Sequence, residues 1–274
     1  MALALAAMVV IGGPGRAQVA TPGAVDGDAA QPWAAHDETS TATIDHRALD
    51  EFLAEYLVSD DDGGLTRVAY GTVTPEDRRA LGAYIDMLEA QDIAALNRNE
   101  QFAYWVNLYN AATLALVLDN TPIASIRGIN DGLLSPGPWD RELVTVNGRR
   151  LSLDDIEHRI LRRLWREPRV HYAVNCASVG CPNLADRAYT GATLDAQLDT
   201  GARRYVNSPR GVSIDGDGRL VVSSLYDWFR EDFGSNDEDV IEHLRAYADD
   251  DLRAALANRT SIDGYAYDWA LNGT

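Results

Sequence analysis

Arg169–Pro182 reads R-V-H-Y-A-V-N-C-A-S-V-G-C-P, and the reading of the whole chain turns on it. It holds both cysteines, Cys176 and Cys181, and one of five histidines, His171. Val170–Val174 is apolar and β-branched, which predicts a short buried strand. The small residues Ala177, Ser178 and Gly180 follow, and Pro182 closes the segment. A strand of this kind places a thiol in a tight loop on a rigid support. The same spacing, with four residues between the cysteines, also suits a small disulfide loop.

Both readings have chemical consequences. In an oxidising compartment the default for two cysteines is a disulfide, and so small a ring removes little chain entropy. A free Cys176 would instead be a candidate nucleophile, which requires a nearby base or a positive field. His158 and His171 are the candidate bases in the surrounding segment. On a straight strand His171 and Cys176 would face opposite ways, roughly 16 Å apart. His158 comes from the preceding helix, which can fold back, so it is the first choice and His171 the second. Glu100, Asn107 or Asn110 could orient the imidazole. The backbone N–H groups of Ala177–Gly180 are the candidate oxyanion donors. His158, His171, Cys176 and Cys181 have the right donor types for zinc, but their spacing matches no common zinc pattern. No metal or cofactor is expected.

The flanking sequence predicts helices for the most part. Leu49, Phe52, Leu53, Tyr56 and Leu57 share one face. Thr74-Pro75-Glu76-Asp77 is a helix start, with Thr74 as cap and Pro75 at the first helical position. Glu100–Leu118 is apolar nearly all round, so this helix is expected at the centre. Asn107 and Asn110 lie inside it and must find partners, because an unpaired buried amide costs about 1–3 kcal/mol. Clamping an adjacent loop is the expected answer. Leu143–Val146 and Arg149–Leu151 flank Asn147-Gly148, a strong hairpin signal. Ser152 and Asp155 open a helix over Leu153–Trp165. A further helix carries Leu194, Leu198, Ala202 and Tyr205. Val212–Ile214 and Leu220–Ser223 form a second hairpin. Short helical residues 225–233 precede a last helix from Val240 to about Ala257, and Tyr265, Tyr267 and Trp269 alternate as a closing strand. Asp60-Asp61-Asp62 lacks the ligand spacing of a calcium loop and reads as a solvated turn.

The 274 residues carry a net charge of −18. That argues against a nucleic-acid binder, which needs cations against phosphate. Residues 1–17 are expected to be a secretory signal and residues 18–43 a flexible leader. No later stretch is apolar for long enough to span a bilayer. The expectation is one α+β domain over 44–274, with helices on a small, mainly antiparallel sheet, in a periplasmic or secreted protein.

Four blocks, F-A-Y-W-V-N-L-Y-N-A, L-S-L-D-D-I-E-H-R-I-L-R, P-R-V-H-Y-A-V-N-C-A-S-V-G-C-P and Y-D-W-A-L-N, occur in order, and the chain resembles, over roughly Ile44 to Asn272, the family known as domain of unknown function 547. That family occurs in bacterial exported proteins and, joined to a coiled coil, in plants; this chain has no heptad region. The resemblance implies a papain-like or transglutaminase-like cysteine hydrolase, with Cys176 and His158 or His171 in a cleft between helix and sheet. The order differs from papain, because the central helix lacks cysteine and both histidines precede Cys176. The arrangement would therefore be permuted. The implied activity is hydrolysis of a peptide, amide or thioester bond. The alternative is a non-catalytic domain that binds a peptide or small molecule, with Cys176–Cys181 as a structural disulfide.

Overall fold

A computed structural model describes residues 31–59, 64–129 and 137–274. The expected signal segment and the three aspartates lie outside these residues.

Helix α1 (Arg47–Tyr56) leads through the antiparallel pair β1 (Leu57–Ser59) and β2 (Thr66–Val68) to α2 (Pro75–Glu89). The Thr74 hydroxyl accepts the Asp77 N–H and Pro75 occupies the first turn, as its sequence requires. Helix α3 (Arg98–Asn120) starts at an Asn97 cap and is buried on every side from Glu100 to Leu114. Its all-round apolar surface makes it the axis of the first core, with α2 packed along it.

The hairpin β3 (Glu142–Val146) and β4 (Arg149–Ser152) turns at Asn147 and Gly148, both with positive φ. The Ser152 hydroxyl accepts the Asp155 N–H, and Asp155 accepts the Ser152 N–H in return. The helix this box opens is a π-helix over Asp155–Leu161, tightening to α4 (Arg162–Trp165). The wider turn shifts the helical phase, so Glu157 points inward beside Ile156, Ile160 and Leu161.

Beyond the cysteine segment lie α5 (Leu194–Val206), the pair β5 (Val212–Ile214) and β6 (Leu220–Ser223), and the single-turn helices α6 (Leu225–Trp228) and α7 (Arg230–Phe233). The chain then forms α8 (Asp237–Tyr247), α9 (Asp250–Leu256) and β7 (Gly264–Ala266). These elements enclose a second core around Tyr172, Tyr205, Tyr226 and Phe233.

The class is α+β with mainly antiparallel pairing, as expected. The strands form separate small sheets rather than one, and β7 runs parallel to β6. The last long helix is split in two at Ala248–Asp249, where Asp249 caps a fresh start. Residues 32–43 are not wholly detached from the domain. Trp33 is buried edge-on against Trp105, with ring centroids 5.2 Å apart, an anchor that the Ala- and Gly-rich composition around it masked.

The largest correction concerns the decisive stretch itself. Pro168–Tyr172 is a 3-10 helix rather than a strand. Pro168 at its start and the Glu167 side chain, which accepts the Arg169 N–H, set that turn. The segment is the seam between the two cores: Val170, Ala173 and Val174 join the first and Tyr172 the second. Burial on both sides produced the apolar run that resembled a strand.

Candidate functional site

The loop Asn175–Pro182 is fixed by side chains reaching in from distant regions of the chain. Asn110 in α3 accepts the Asn175 N–H and donates to the Ala173 carbonyl, both at 2.9 Å. Asn175 accepts the Ala177 N–H at 2.8 Å and donates to the Pro182 carbonyl at 2.6 Å, spanning the loop from inside. The C-terminal segment lies alongside: Asn272 N–H donates to Ala177, Val179 N–H to Ala270 and Gly180 N–H to Asp268. Tyr205 donates to the Gly180 carbonyl at 2.6 Å, and Arg210 to the Val179 and Cys181 carbonyls. A Cβ at Gly180 would lie 2.8 Å from the Asp268 nitrogen, so only glycine permits this approach. Ala177 takes a positive φ of 58°, which the surrounding bonds hold in place.

Within this loop Cys176 and Cys181 form a disulfide, with Cα atoms 6.4 Å apart. Cys181 is buried and Cys176 is half-buried. The Tyr267 hydroxyl lies 3.3 Å from Cys176 Sγ and 3.1 Å from Cys181 Sγ. Ser178 Oγ lies 3.3 Å from Cys176 Sγ and donates to Cys181 Sγ at 3.4 Å, and Cys176 N–H donates to Cys181 Sγ at 3.1 Å. Tyr267 is held in its neutral, donating form, because burial raises its pKa.

Neither histidine is bonded to the sulfurs. His171 is buried and stacks on Phe229 at 4.3 Å. Its Nε2 lies 2.6 Å from Asp232 and its Nδ1 3.6 Å from Glu157, so carboxylates face both ring nitrogens. His158 lies between Asp154 at 3.5 Å and Glu157 at 3.8 Å, with Arg162 at 3.3 Å. Arg162 donates to the same Asp232 oxygen at 2.5 Å. Burial alone would raise the pKa of Glu157, but His158, His171 and Arg162 hold it at about 2. Burial would raise Asp232 as well, and His171 and Arg162 bring it to about 2. The result is a compensated ionic cluster at the seam.

The three candidate orienting groups do other work. Glu100 is buried and accepts the Ile44 and Gly191 N–H groups, each at 2.8 Å. Asn107 accepts the Tyr189 N–H at 2.9 Å and donates to the Tyr189 carbonyl at 2.8 Å. Asn110 holds the cysteine loop. Asn107 and Asn110 are therefore the loop clamps that their burial demanded. The expected oxyanion donors are largely committed, since Ala177, Val179 and Gly180 N–H groups already have acceptors. The zinc set is not assembled either: the sulfurs are joined to each other, and among the described residues no group of three or more His, Cys, Asp or Glu side chains is placed to hold a metal.

A cluster of half-buried aromatic rings borders the disulfide. Tyr267 lies 4.8 Å from Trp228 and 4.6 Å from Trp269, and Trp269 lies 5.6 Å from Trp139. The Arg127 guanidinium sits 5.2 Å above Trp269. Sequence reasoning missed Glu157, Arg162, Asp232 and Tyr267. The Glu157-His158 pair and the Y-A-Y-D-W alternation were the visible signals, but nothing local tied either to the cysteines.

Three of the four blocks fall within a family-model match, and the fourth, Y-D-W-A-L-N, lies outside it. Residues 93–206 match the model described as protein of unknown function, DUF547. The resemblance to DUF547 holds over that span. The DUF547 match includes α3, His158, His171 and both cysteines, and so takes in the clamp and the loop together. Asp232, Phe229, Tyr267 and Trp269 lie after it, so the ionic cluster and the aromatic border are completed from outside the matched residues. Neither the curated proteins nor the solved structures gave a match.

Proposed function

We propose that this chain is an exported binding domain whose working surface is the aromatic border of the cysteine loop, and that its ligand is a polypeptide segment. The observation that carries the reading is the continuous set Trp139, Trp269, Trp228 and Tyr267, half-buried and joined to the disulfide through the Tyr267 hydroxyl. Tyrosine and tryptophan supply large contact area at small entropic cost. The rings are mostly inclined to one another, at 51° to 62° for three of the four pairs. Inclined rings make notches for side chains rather than a flat platform for a sugar ring. A disulfide fits an oxidising compartment, which supports export.

Hydrolysis at Cys176 has no comparable support. It needs a reduced thiol and an imidazole turned away from its carboxylates toward sulfur. Intrinsic tryptophan fluorescence, titrated with a degenerate peptide pool and with a panel of oligosaccharides, tests the binding proposal. A peptide-dependent change that Trp269→Ala abolishes is the expected result. A response to the oligosaccharides alone, or to neither, overturns it.

A further inference from the structure

The two sulfurs differ in access and in surroundings. Cys176 is half-buried and Cys181 is buried. An N–H and two hydroxyls surround Cys181 Sγ: the Cys176 N–H at 3.1 Å, the Tyr267 hydroxyl at 3.1 Å and the Ser178 hydroxyl at 3.4 Å; the two hydroxyls also lie 2.9 Å apart, so one of their protons joins them and the other is left for sulfur. A neutral disulfide sulfur is a weak acceptor, whereas a thiolate in the same place would be a strong one. The Arg210 guanidinium, donating to the Cys181 carbonyl, adds positive field beside it. The loop does not depend on the bridge for its shape, because Asn110, Asn175, Tyr205, Arg210 and the C-terminal segment each hold its backbone. Breaking the bridge would let the sulfurs separate to van der Waals contact on a backbone that these bonds continue to hold.

We propose that Cys176–Cys181 is an exchangeable pair that reacts with an external dithiol. The incoming thiolate attacks Cys176 Sγ along the line of the bridge. A mixed disulfide forms on Cys176, the Cys176–Cys181 bond breaks, and its electron pair leaves on Cys181 as a thiolate held by the Cys176 N–H and the Ser178–Tyr267 hydroxyl pair. The second thiol of the dithiol, deprotonated by solvent, then attacks its own sulfur in the mixed disulfide and releases Cys176 as a thiolate. The dithiol ends oxidised and the domain reduced, and two electrons are conserved. Run backwards, the same steps let the domain oxidise itself at the expense of a disulfide donor. The proposal does not rest on the peptide-binding reading: it shares Tyr267 with that surface, but only through the hydroxyl that faces the sulfurs, and Ser178→Ala tests it apart from the aromatic rings.

The test uses the whole chain, with dithiothreitol and oxidised glutathione as probes. Dithiothreitol should reduce the bridge while the protein keeps its near-UV circular dichroism and cooperative melting. Cys181→Ser, treated with oxidised glutathione, should form the mixed disulfide at Cys176 faster than Cys176→Ser forms it at Cys181. Tyr267→Phe should lower the rate of dithiothreitol reduction about five-fold, the effect of one lost hydrogen bond to the leaving sulfur. Ser178→Ala should act in the same direction, and melting curves on both variants confirm that they fold. Loss of the near-UV signal on reduction, faster trapping at Cys181, or reduction of both hydroxyl variants at the wild-type rate overturns the proposal.

Discussion

The Asn110 side chain in α3 grips the backbone on either side of Val174, accepting the Asn175 N–H and donating to the Ala173 carbonyl at 2.9 Å each. One amide side chain thus does what a strand neighbour would do, which is why the cysteine loop needs no sheet beneath it. Asn110→Leu leaves a buried donor and a buried acceptor unpaired. We expect a loss of about 2–4 kcal/mol in urea unfolding, with Asn110→Asp intermediate.

Glu100 acts as a second clamp near the start of the same helix, between the segment before α1 and the turn before α5. Glu100→Ala strips two buried N–H groups of a charged acceptor and should cost about 2–4 kcal/mol. Glu100→Gln keeps one oxygen and should cost less. Urea midpoints of the two variants give the comparison.

Gly180 lies against the Asp268 backbone so closely that a Cβ would meet its nitrogen at 2.8 Å and its oxygen at 2.9 Å. Gly180→Ala should therefore destabilise by about 1–3 kcal/mol. It should also alter the near-UV circular dichroism of the Tyr267–Trp228–Trp269 cluster, because the tail must move.

The ionic cluster makes stability depend on acid. Glu157 and Asp232 sit near 2 when folded, below the ordinary carboxylate range. As pH falls the unfolded chain takes up protons first, so the contribution of these two carboxylates is full above about pH 5 and is lost on the way down to about pH 2. His243, brought to about 4 by burial, adds a loss at higher pH that starts below about 6.5, where the unfolded imidazole protonates. Urea midpoints against pH should show both phases. Asp232→Asn should shrink the lower one and leave the upper one in place.

The sequence carried local facts faithfully and long-range ones poorly. Thr74, Asn147-Gly148 and the Ser152–Asp155 box act within a few residues, and each appears where its chemistry put it. The all-round apolar face of α3 announced the centre of the first core. Val170–Val174 misled because burial between two cores gives the same apolar run as a buried strand. Tyr267 and Asp232 could not be tied to the cysteines or histidines, because they arrive from 86 and 61 residues away. Trp33 was hidden by a leader-like composition, and Trp33→Ala should cost about 3–5 kcal/mol, read as a lowered melting temperature.

The central claim is that Cys176 and Cys181 are joined on a loop held from outside, with no imidazole acting on either sulfur. Intact mass after iodoacetamide treatment, on protein purified without reductant, tests it most directly. The account predicts no adduct, and a gain of about two daltons when reductant alone is added. A carboxamidomethyl adduct on Cys176 before any reduction, formed with a rate that titrates well below the ordinary thiol range, would contradict it.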